Sequence, residues 1–210
     1  MDTNKPWLTI WTRPRETIRH IIHHNPNQSL WWLATIYGFS SLLNSFQAAA
    51  LGSLDGGVGL LLFLAVLFAP LWGYLVFSVW SWVVLWTGRM FKGQGEYAAV
   101  RAAYAWSCVP LLINGILWLI LISLFGVALF LDTAEEVHFS DGWLVVLFVT
   151  LLGKVAMVIW SLVIYLNALA EVQRFSMLRA IGNVIVAGIA CGVVLGVLGS
   201  LITRGLYYTF

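Results

Sequence analysis

The sequence predicts an all-α integral membrane protein, a bundle of five transmembrane helices preceded by an amphipathic interfacial helix. Of its 210 residues, 61% are hydrophobic and 10% are charged, and the mean hydropathy is +0.90. This composition leaves too little polar surface for a water-soluble domain. Several apolar runs exceed the ~20 residues that cross a hydrocarbon core, and in lipid such runs must be helical because every backbone amide needs an internal partner.

Residues 1–28 precede the first apolar run and are predicted to be a cytoplasmic anchor in the membrane interface. A helix is expected to begin at Pro14, since proline suits a first helical turn, and to end near Pro26. One face of this helix carries isoleucines and the other carries arginines. Such a helix places indole rings at the interface and cations against anionic lipid headgroups. The residues assigned to this lipid contact are Trp7, Trp11, Arg13, Arg15 and Arg19.

Three histidines on the same segment, His20, His23 and His24, have a spacing that brings imidazoles together on a helix. A zinc site needs further ligands, but no cysteine and no acidic residue other than Glu16 lies nearby, and the spacing matches no metalloprotease motif. A solvated or headgroup-contacting cluster is therefore favoured over a metal site, and no metal or other cofactor is predicted.

Five apolar runs, separated by charged residues, are predicted to cross the membrane in turn. The first is long enough to span and follows a polar stretch, so no cleaved signal peptide is expected. The second contains Pro70, where a kink is expected. With the anchor, the spans form one domain, 1–210, and they cover Ser29–Leu51, Val58–Thr87, Pro110–Leu131, Gly142–Leu169 and Ala180–Ile202.

The basic residues predict the orientation, because Lys and Arg are retained on the cytoplasmic side. Nine of them fall on one side of this map: Lys5, Arg13, Arg15, Arg19, Arg89, Lys92, Arg101, Arg174 and Arg179. The opposite loops have no Lys or Arg. Their Asp and Glu residues are Asp55, Asp132, Glu135, Glu136 and Asp141. The chain is therefore predicted to lie in the inner membrane with a cytoplasmic amino end and an external carboxyl end.

Two of the basic connections resemble each other, EYAAVRAAYAWSCVP before the third span and RFSMLRAIGNVIVAG before the fifth. Aligning Tyr97 with Phe175 also aligns Arg101 with Arg179. Each arginine is expected to contact lipid phosphates while its aromatic and aliphatic neighbours dip into the interface. Spans two and three and spans four and five are thus interpreted as a parallel repeat, with coincidence between short segments as the alternative.

Small residues recur every four positions in the last span, at Gly188, Gly192, Gly196 and Ser200. This spacing makes a groove that allows close approach of another helix. The partner is expected to be another span of the same bundle, and homodimerisation is the alternative.

Lys154 is the one formal charge deep within a predicted span, about 18 Å along the helix from Gly142. A lysine at mid-membrane costs about 2.5 to 3.5 kcal/mol, so it should face the bundle and find acceptors. Asn44, Asn114 and carbonyls near Pro70 are the candidate partners. The site is either a polar intramembrane binding site or a satisfied structural lysine.

Enzymatic and nucleic-acid functions find no support in the sequence. There is no GxSxG, HExxH, phosphate loop or pair of intramembrane acids, and the extramembrane segments are too short for a catalytic domain. The interfacial cations follow the topology rule, so no nucleic-acid partner is predicted.

The segments PWLTIWTRPRETIRHII, GEYAAVRAAYAWSCVPLL and LAEVQRFSMLRAIGNVIV, on five predicted spans, resemble a bacterial member of the Yip family of Ypt/Rab-interacting membrane proteins. The resemblance covers essentially the whole chain. It implies a polytopic membrane protein and transfers no catalytic residue. Eukaryotic relatives have a longer cytoplasmic amino-terminal region that is not matched here, so their Rab partners and trafficking role are not carried over.

Two functions follow from these observations. The preferred one is a non-enzymatic inner-membrane protein that organises lipid or scaffolds other membrane proteins, with a second copy of the chain as a further candidate partner. The alternative is a small transporter or lipid-handling protein whose midplane site surrounds Lys154. A polar cavity at Lys154 would favour the alternative, and tight apolar packing there would favour the scaffold.

Overall fold

The computed structural model of the chain describes residues 5–131 and 141–207, in which all regular structure is helical. The acidic residues Asp132, Glu135 and Glu136 lie outside the described residues. Three short 3-10 segments cover Leu51–Ser53, Val109–Leu111 and Gly126–Phe130. The α-helices are α1 (Pro6–Thr9), α2 (Pro14–His24), α3 (Leu30–Ala48), α4 (Gly57–Met90), α5 (Tyr97–Ser107), α6 (Leu112–Phe125), α7 (Asp141–Gln173) and α8 (Met177–Tyr207).

Four helical stretches in the described ranges are long and apolar enough to cross a membrane: Gly57–Met90, Tyr97–Phe130, Gly142–Gln173 and Met177–Leu201. The all-α, multi-pass class is confirmed. Helix α3 matches the first predicted span in position. Its 19 residues include serines, an asparagine and a glutamine, which lower its hydropathy, and it is not one of the four. The count of five crossings therefore stays a prediction.

The third crossing differs from its predicted bounds, because the helical stretch begins at Tyr97 rather than at Pro110. Residues 97–107 form the buried helix α5, and Val109–Leu111 interrupts the stretch before α6 begins. Pro110 explains the interruption, since proline lacks a backbone N–H and its ring clashes with the carbonyl four residues earlier. This crossing consists of two half-helices, whereas α4 contains Pro70 and is one continuous helix.

Helices α3 and α4 make the closest packing contact of the bundle. A Cβ atom on Gly38 would overlap the carbonyl of Ala69, and a Cβ atom on Gly73 would overlap the carbonyl of Ala34. Each helix thus contributes two small residues four positions apart, the spacing that lets helix backbones touch in membranes.

The amino-terminal segment packs on α7. Arg15 Nε donates to Asn167 Oδ1 at 3.1 Å, and Arg19 Nε donates to Glu171 Oε1 at 2.7 Å. Residues four apart on α2 thus pair in the same order with residues four apart on α7, so the two helices run side by side in one direction. The isoleucine face expected to contact lipid is covered by protein, since Ile18 is fully buried. The position of α2 relative to the membrane stays a prediction.

Helix α8 is packed only near its beginning. Thr87 Oγ1 donates to Asn183 Oδ1 at 2.6 Å, and Asn183 Nδ2 donates to the Val84 carbonyl at 3.2 Å, which fixes α8 to α4. Among the described residues, the fully buried side chains of α8 end at Ala187, and nothing lies within 4 Å of a Cβ atom placed on Gly188, Gly192 or Gly196. Packing of the stripe that these glycines form with Ser200 stays a prediction.

Candidate functional site

Helix α7 supplies a depth scale for the bundle. Its exposed large apolar side chains begin at Trp143 and end at Val163. These two residues lie about 30 Å apart at 1.5 Å per residue, which matches the thickness of a hydrocarbon core. We call the stretch 143–163 the apolar belt. Asn167 and Glu171 follow the belt, and on this scale they would lie at headgroup depth.

Lys154 lies in the middle of the apolar belt, but the structure does not bring it together with the predicted asparagine partners, and its position at mid-membrane stays a prediction. Its Nζ atom is 3.8 Å from the centroid of the fully buried Trp118 ring. This cation–π contact replaces hydrogen bonds in a low-dielectric setting. Among the described residues, neither Asn44 nor Asn114 hydrogen-bonds to the amine, and Asn44 Nδ2 donates to the Ser40 carbonyl at 2.9 Å.

A cavity of about 430 Å³ occupies the bundle nearer the carboxyl end of α7, and Lys154 does not line it. Both predicted asparagines, Asn44 and Asn114, do line it. Of its fifteen lining residues, all in the described ranges, none carries a formal charge. The lining hydroxyl groups belong to Tyr37, Tyr104, Tyr165, Ser40, Ser41, Ser107 and Ser161.

Most of the polar atoms around the cavity have protein partners. Trp80 Nε1 donates to the Tyr165 hydroxyl at 3.1 Å, and Ser161 Oγ donates to the Ser107 carbonyl at 2.8 Å. Two atoms have none, Ser40 Oγ and Asn114 Oδ1, although these residues are only 6% and 9% exposed. An unpartnered buried polar atom costs about 1–3 kcal/mol, so these two lining residues have unused hydrogen-bonding capacity.

The cavity is bordered by residues of the apolar belt. Val158 and Leu162 line it and are also 53% and 47% exposed. The interruption around Pro110 borders it as well, since Cys108 and Leu111 are lining residues. Broken helices commonly border binding sites in membrane proteins, because their backbone groups remain available to a ligand.

The residues predicted to contact lipid headgroups lie in different parts of the structure. Trp7 packs against Trp106, with ring centroids 5.0 Å apart. Arg101 donates to the Tyr74 hydroxyl and to Asn27 Oδ1, both at 2.9 Å, whereas Arg179 is exposed. Arg19 forms the ion pair with Glu171. A second pocket is bordered by Trp11, Arg13 and Arg15. Contact of these residues with lipid headgroups stays a prediction.

Two of the three histidines of the predicted cluster, His20 and His24, lie side by side. The His20 and His24 rings have centroids 4.1 Å apart, and His24 Nδ1 lies 3.1 Å from the His20 carbonyl oxygen. His23 borders a different pocket, next to Arg19 and Arg174. Within the described ranges, no group of three His, Cys, Asp or Glu residues is arranged to hold a metal ion.

The tyrosines and serines of the cavity were not identified from the sequence, although a signal exists. Tyr37, Ser40, Ser41 and Asn44 recur with helical spacing within an otherwise apolar run. A polar stripe of this kind marks one face of a helix. The sequence interpretation gave weight to formal charge and so selected Lys154 instead.

Comparison with known proteins supplies a family relationship. A family model described as Yip1, the Yip1 domain, matches residues 8–198. No curated protein and no solved structure gives a significant match to the chain.

Proposed function

Since the chain belongs to the Yip1 domain family, and is a multi-pass membrane protein, we propose that it binds the neutral, hydroxyl-bearing headgroup of a lipid in its central cavity. The protein would act as a non-enzymatic lipid-handling protein. The observation that carries this proposal is the pair of buried, unpartnered polar atoms, Ser40 Oγ and Asn114 Oδ1, in a cavity that is bordered by residues of the apolar belt.

The absence of formal charge from the lining favours a neutral ligand. A charged headgroup in this cavity would lose its hydration and gain no counter-charge, which is costly in a low-dielectric interior. Hydroxyl groups and amides can instead exchange hydrogen bonds with a ligand that both donates and accepts. The volume of about 430 Å³ lies within the range of small-molecule sites.

The position of the cavity favours a lipid over a dissolved solute. Val158 and Leu162, which line it, are also exposed residues of the apolar belt, so we infer a lateral opening to the bilayer at this point. On α7 the lining continues to Tyr165, just past the end of the belt at Val163. A ligand at this depth can keep its acyl chains in the bilayer while its hydroxyl groups enter the bundle.

The proposal can be tested by measuring which lipids stay bound. The parent protein and the variants Ser40→Ala and Asn114→Leu would be purified in the same native lipid extract, and bound lipids identified by native mass spectrometry. Ser123→Ala is the matched control, because Ser123 is an exposed serine on α6 that donates to the Leu119 carbonyl. We expect about fivefold less neutral hydroxyl-bearing lipid on each cavity variant, and parent levels on the control. Equal retention by all four proteins would refute the proposal.

Organisation of membrane proteins is a second candidate function, with other membrane proteins or a second copy of the chain as partners. It is supported by the outer part of α8, where Gly188, Gly192 and Gly196 contact no other described helix. Disulfide cross-linking of a Gly192→Cys variant in membranes, with Cys191 replaced by serine, tests self-association. Monomers alone would count against the second copy.

The inner membrane, with the amino end cytoplasmic and the carboxyl end external, is the location that we propose. It is supported by the nine basic residues on one side of the predicted spans. Labelling of the single-cysteine variants Asp55→Cys and Gly95→Cys in intact cells tests this orientation. A reactive Gly95→Cys together with a protected Asp55→Cys would show the opposite orientation.

A further inference from the structure

A second pocket, of about 360 Å³, lies between the amino-terminal segment and α7. Trp11, Arg13 and Arg15 border it on one side, and Trp160 and Asn167 on the other. It is separate from the central cavity, because it uses the opposite face of α7 and shares no lining residue with the cavity.

On the depth scale of the apolar belt, the second pocket would cross the boundary between hydrocarbon and headgroups. Trp160 and Val163 border it and are among the last exposed apolar residues of the belt. Asn167 follows Val163 by one helical turn, about 6 Å further along α7. Lipid phosphates and the glycerol backbone lie at this depth, and tryptophan rings prefer it.

The charge of the second pocket is positive. Arg15 is held at its Nε atom by Asn167 Oδ1, 3.1 Å away, and no carboxylate in the described part of the chain forms an ion pair with it. Its terminal nitrogens can therefore meet a ligand. Arg13 lies 3.7 Å from Glu16, and the lining of the pocket includes two guanidinium groups and one carboxylate.

The beginning of α2 adds to this field. Pro14 is the first residue of the eleven-residue helix, and Arg13, Pro14, Arg15 and Glu16 all border the pocket. A helix amino terminus carries partial positive charge and free backbone N–H groups, which favours phosphate. The guanidinium fork of an arginine matches the oxygens of a phosphate in the same way.

We propose that this pocket binds the phosphodiester of a phospholipid. The free edge of Arg15 contacts the phosphate oxygens, Arg13 supplies the second positive charge, and the indoles of Trp11 and Trp160 cover the glycerol and the upper acyl chains. A bound phospholipid would then join the amino-terminal segment to α7. The phosphate chemistry separates this site from the central cavity, whose lining is uncharged.

The test compares a double variant, Arg13→Gln/Arg15→Gln, with a control double variant, Arg89→Gln/Lys92→Gln. The control removes the same charge from exposed residues at the end of α4, away from the pocket. Proteins would be released from nanodiscs that contain equal amounts of phosphatidylglycerol and diacylglycerol, and bound lipid counted by native mass spectrometry. We expect the double variant to retain about tenfold less phosphatidylglycerol, and the control to match the parent.

Three outcomes would overturn the proposal: parent-like retention by the double variant, equal loss by the control, or displacement of the lipid by millimolar inorganic phosphate, which would assign the site to free phosphate. Asn167→Leu leaves every charge in place and removes the bond that orients Arg15, together with the bond from Asn167 Nδ2 to the Val163 carbonyl on the same helix. This single variant tests the proposal if the double variant does not fold. We expect it to retain about threefold less phosphatidylglycerol than the parent. Diacylglycerol retention reports on the central cavity in the same spectra, so the two proposals can fail independently.

Discussion

Replacing Asn114 with leucine should stabilise the ligand-free protein while weakening ligand binding. Asn114 is 9% exposed and its Oδ1 atom has no partner. Leaving such a group buried costs about 1–3 kcal/mol, and leucine has a similar size without the polar atom. The free energy of unfolding should therefore rise by about 1–3 kcal/mol when the cavity contains no polar ligand.

Thermal unfolding in two nanodisc compositions measures this difference. In discs of phosphatidylcholine alone, the melting temperature of Asn114→Leu should exceed that of the parent by about 2–12 °C, at roughly 2–4 °C per kcal/mol for a chain of this size. Addition of diacylglycerol should raise the melting temperature of the parent more than that of Asn114→Leu, because a ligand stabilises a protein in proportion to its affinity for the folded state.

The reasoning fails if Asn114→Leu melts below the parent in phosphatidylcholine, because the asparagine oxygen would then already be satisfied. It also fails if both proteins respond equally to diacylglycerol. Ser123→Ala on the same helix should follow the parent in both compositions, since its hydroxyl bonds only within α6.

Three further predictions concern packing and charge. Gly73→Ala should lower the free energy of unfolding by about 1–3 kcal/mol, because its methyl group would overlap the Ala34 carbonyl, whereas Gly196→Ala should change little; thermal unfolding of both variants measures this. Glu171→Gln should remove the ion pair with Arg19 and speed amide exchange in α2 by about two- to fivefold, while Glu16→Gln should not. Lys154→Met should raise the melting temperature and leave lipid retention unchanged, because the insertion cost of about 2.5 to 3.5 kcal/mol exceeds a cation–π contact of about 2 kcal/mol.

The class and most of the helices were predictable because lipid is a simple solvent. An apolar run in hydrocarbon has one way to satisfy its backbone, so hydropathy located α4, α7 and α8 within a few residues. Helix α5 was assigned to a connection because Arg101 appeared to end the apolar run. The Arg101 guanidinium in fact donates hydrogen bonds to the Tyr74 hydroxyl and to Asn27 Oδ1 within the protein. A hydropathy pattern does not reveal such bonds.

Amphipathicity and small-residue spacing located surfaces without identifying what covers them. The isoleucine face of α2 suits lipid or protein equally, and the structure buries Ile18 and Ile21 in protein. The four-residue spacing of Ala34 and Gly38 on α3, and of Ala69 and Gly73 on α4, is the same as that of Gly188 and Gly192 on α8. Only the pairs on α3 and α4 meet another helix of the described chain. Tertiary geometry decides between these outcomes.

The placement of both pockets against α7 has a thermodynamic consequence. Trp160 and Asn167 face one pocket, while Ser161 and Tyr165 on the other side of the same turns face the cavity. Turning this helix about its own axis would widen one of the two pockets and narrow the other. Any such rotation would make the ligand affinity of each pocket depend on whether the other pocket is occupied. By linkage, each ligand would change the affinity of the other by the same factor.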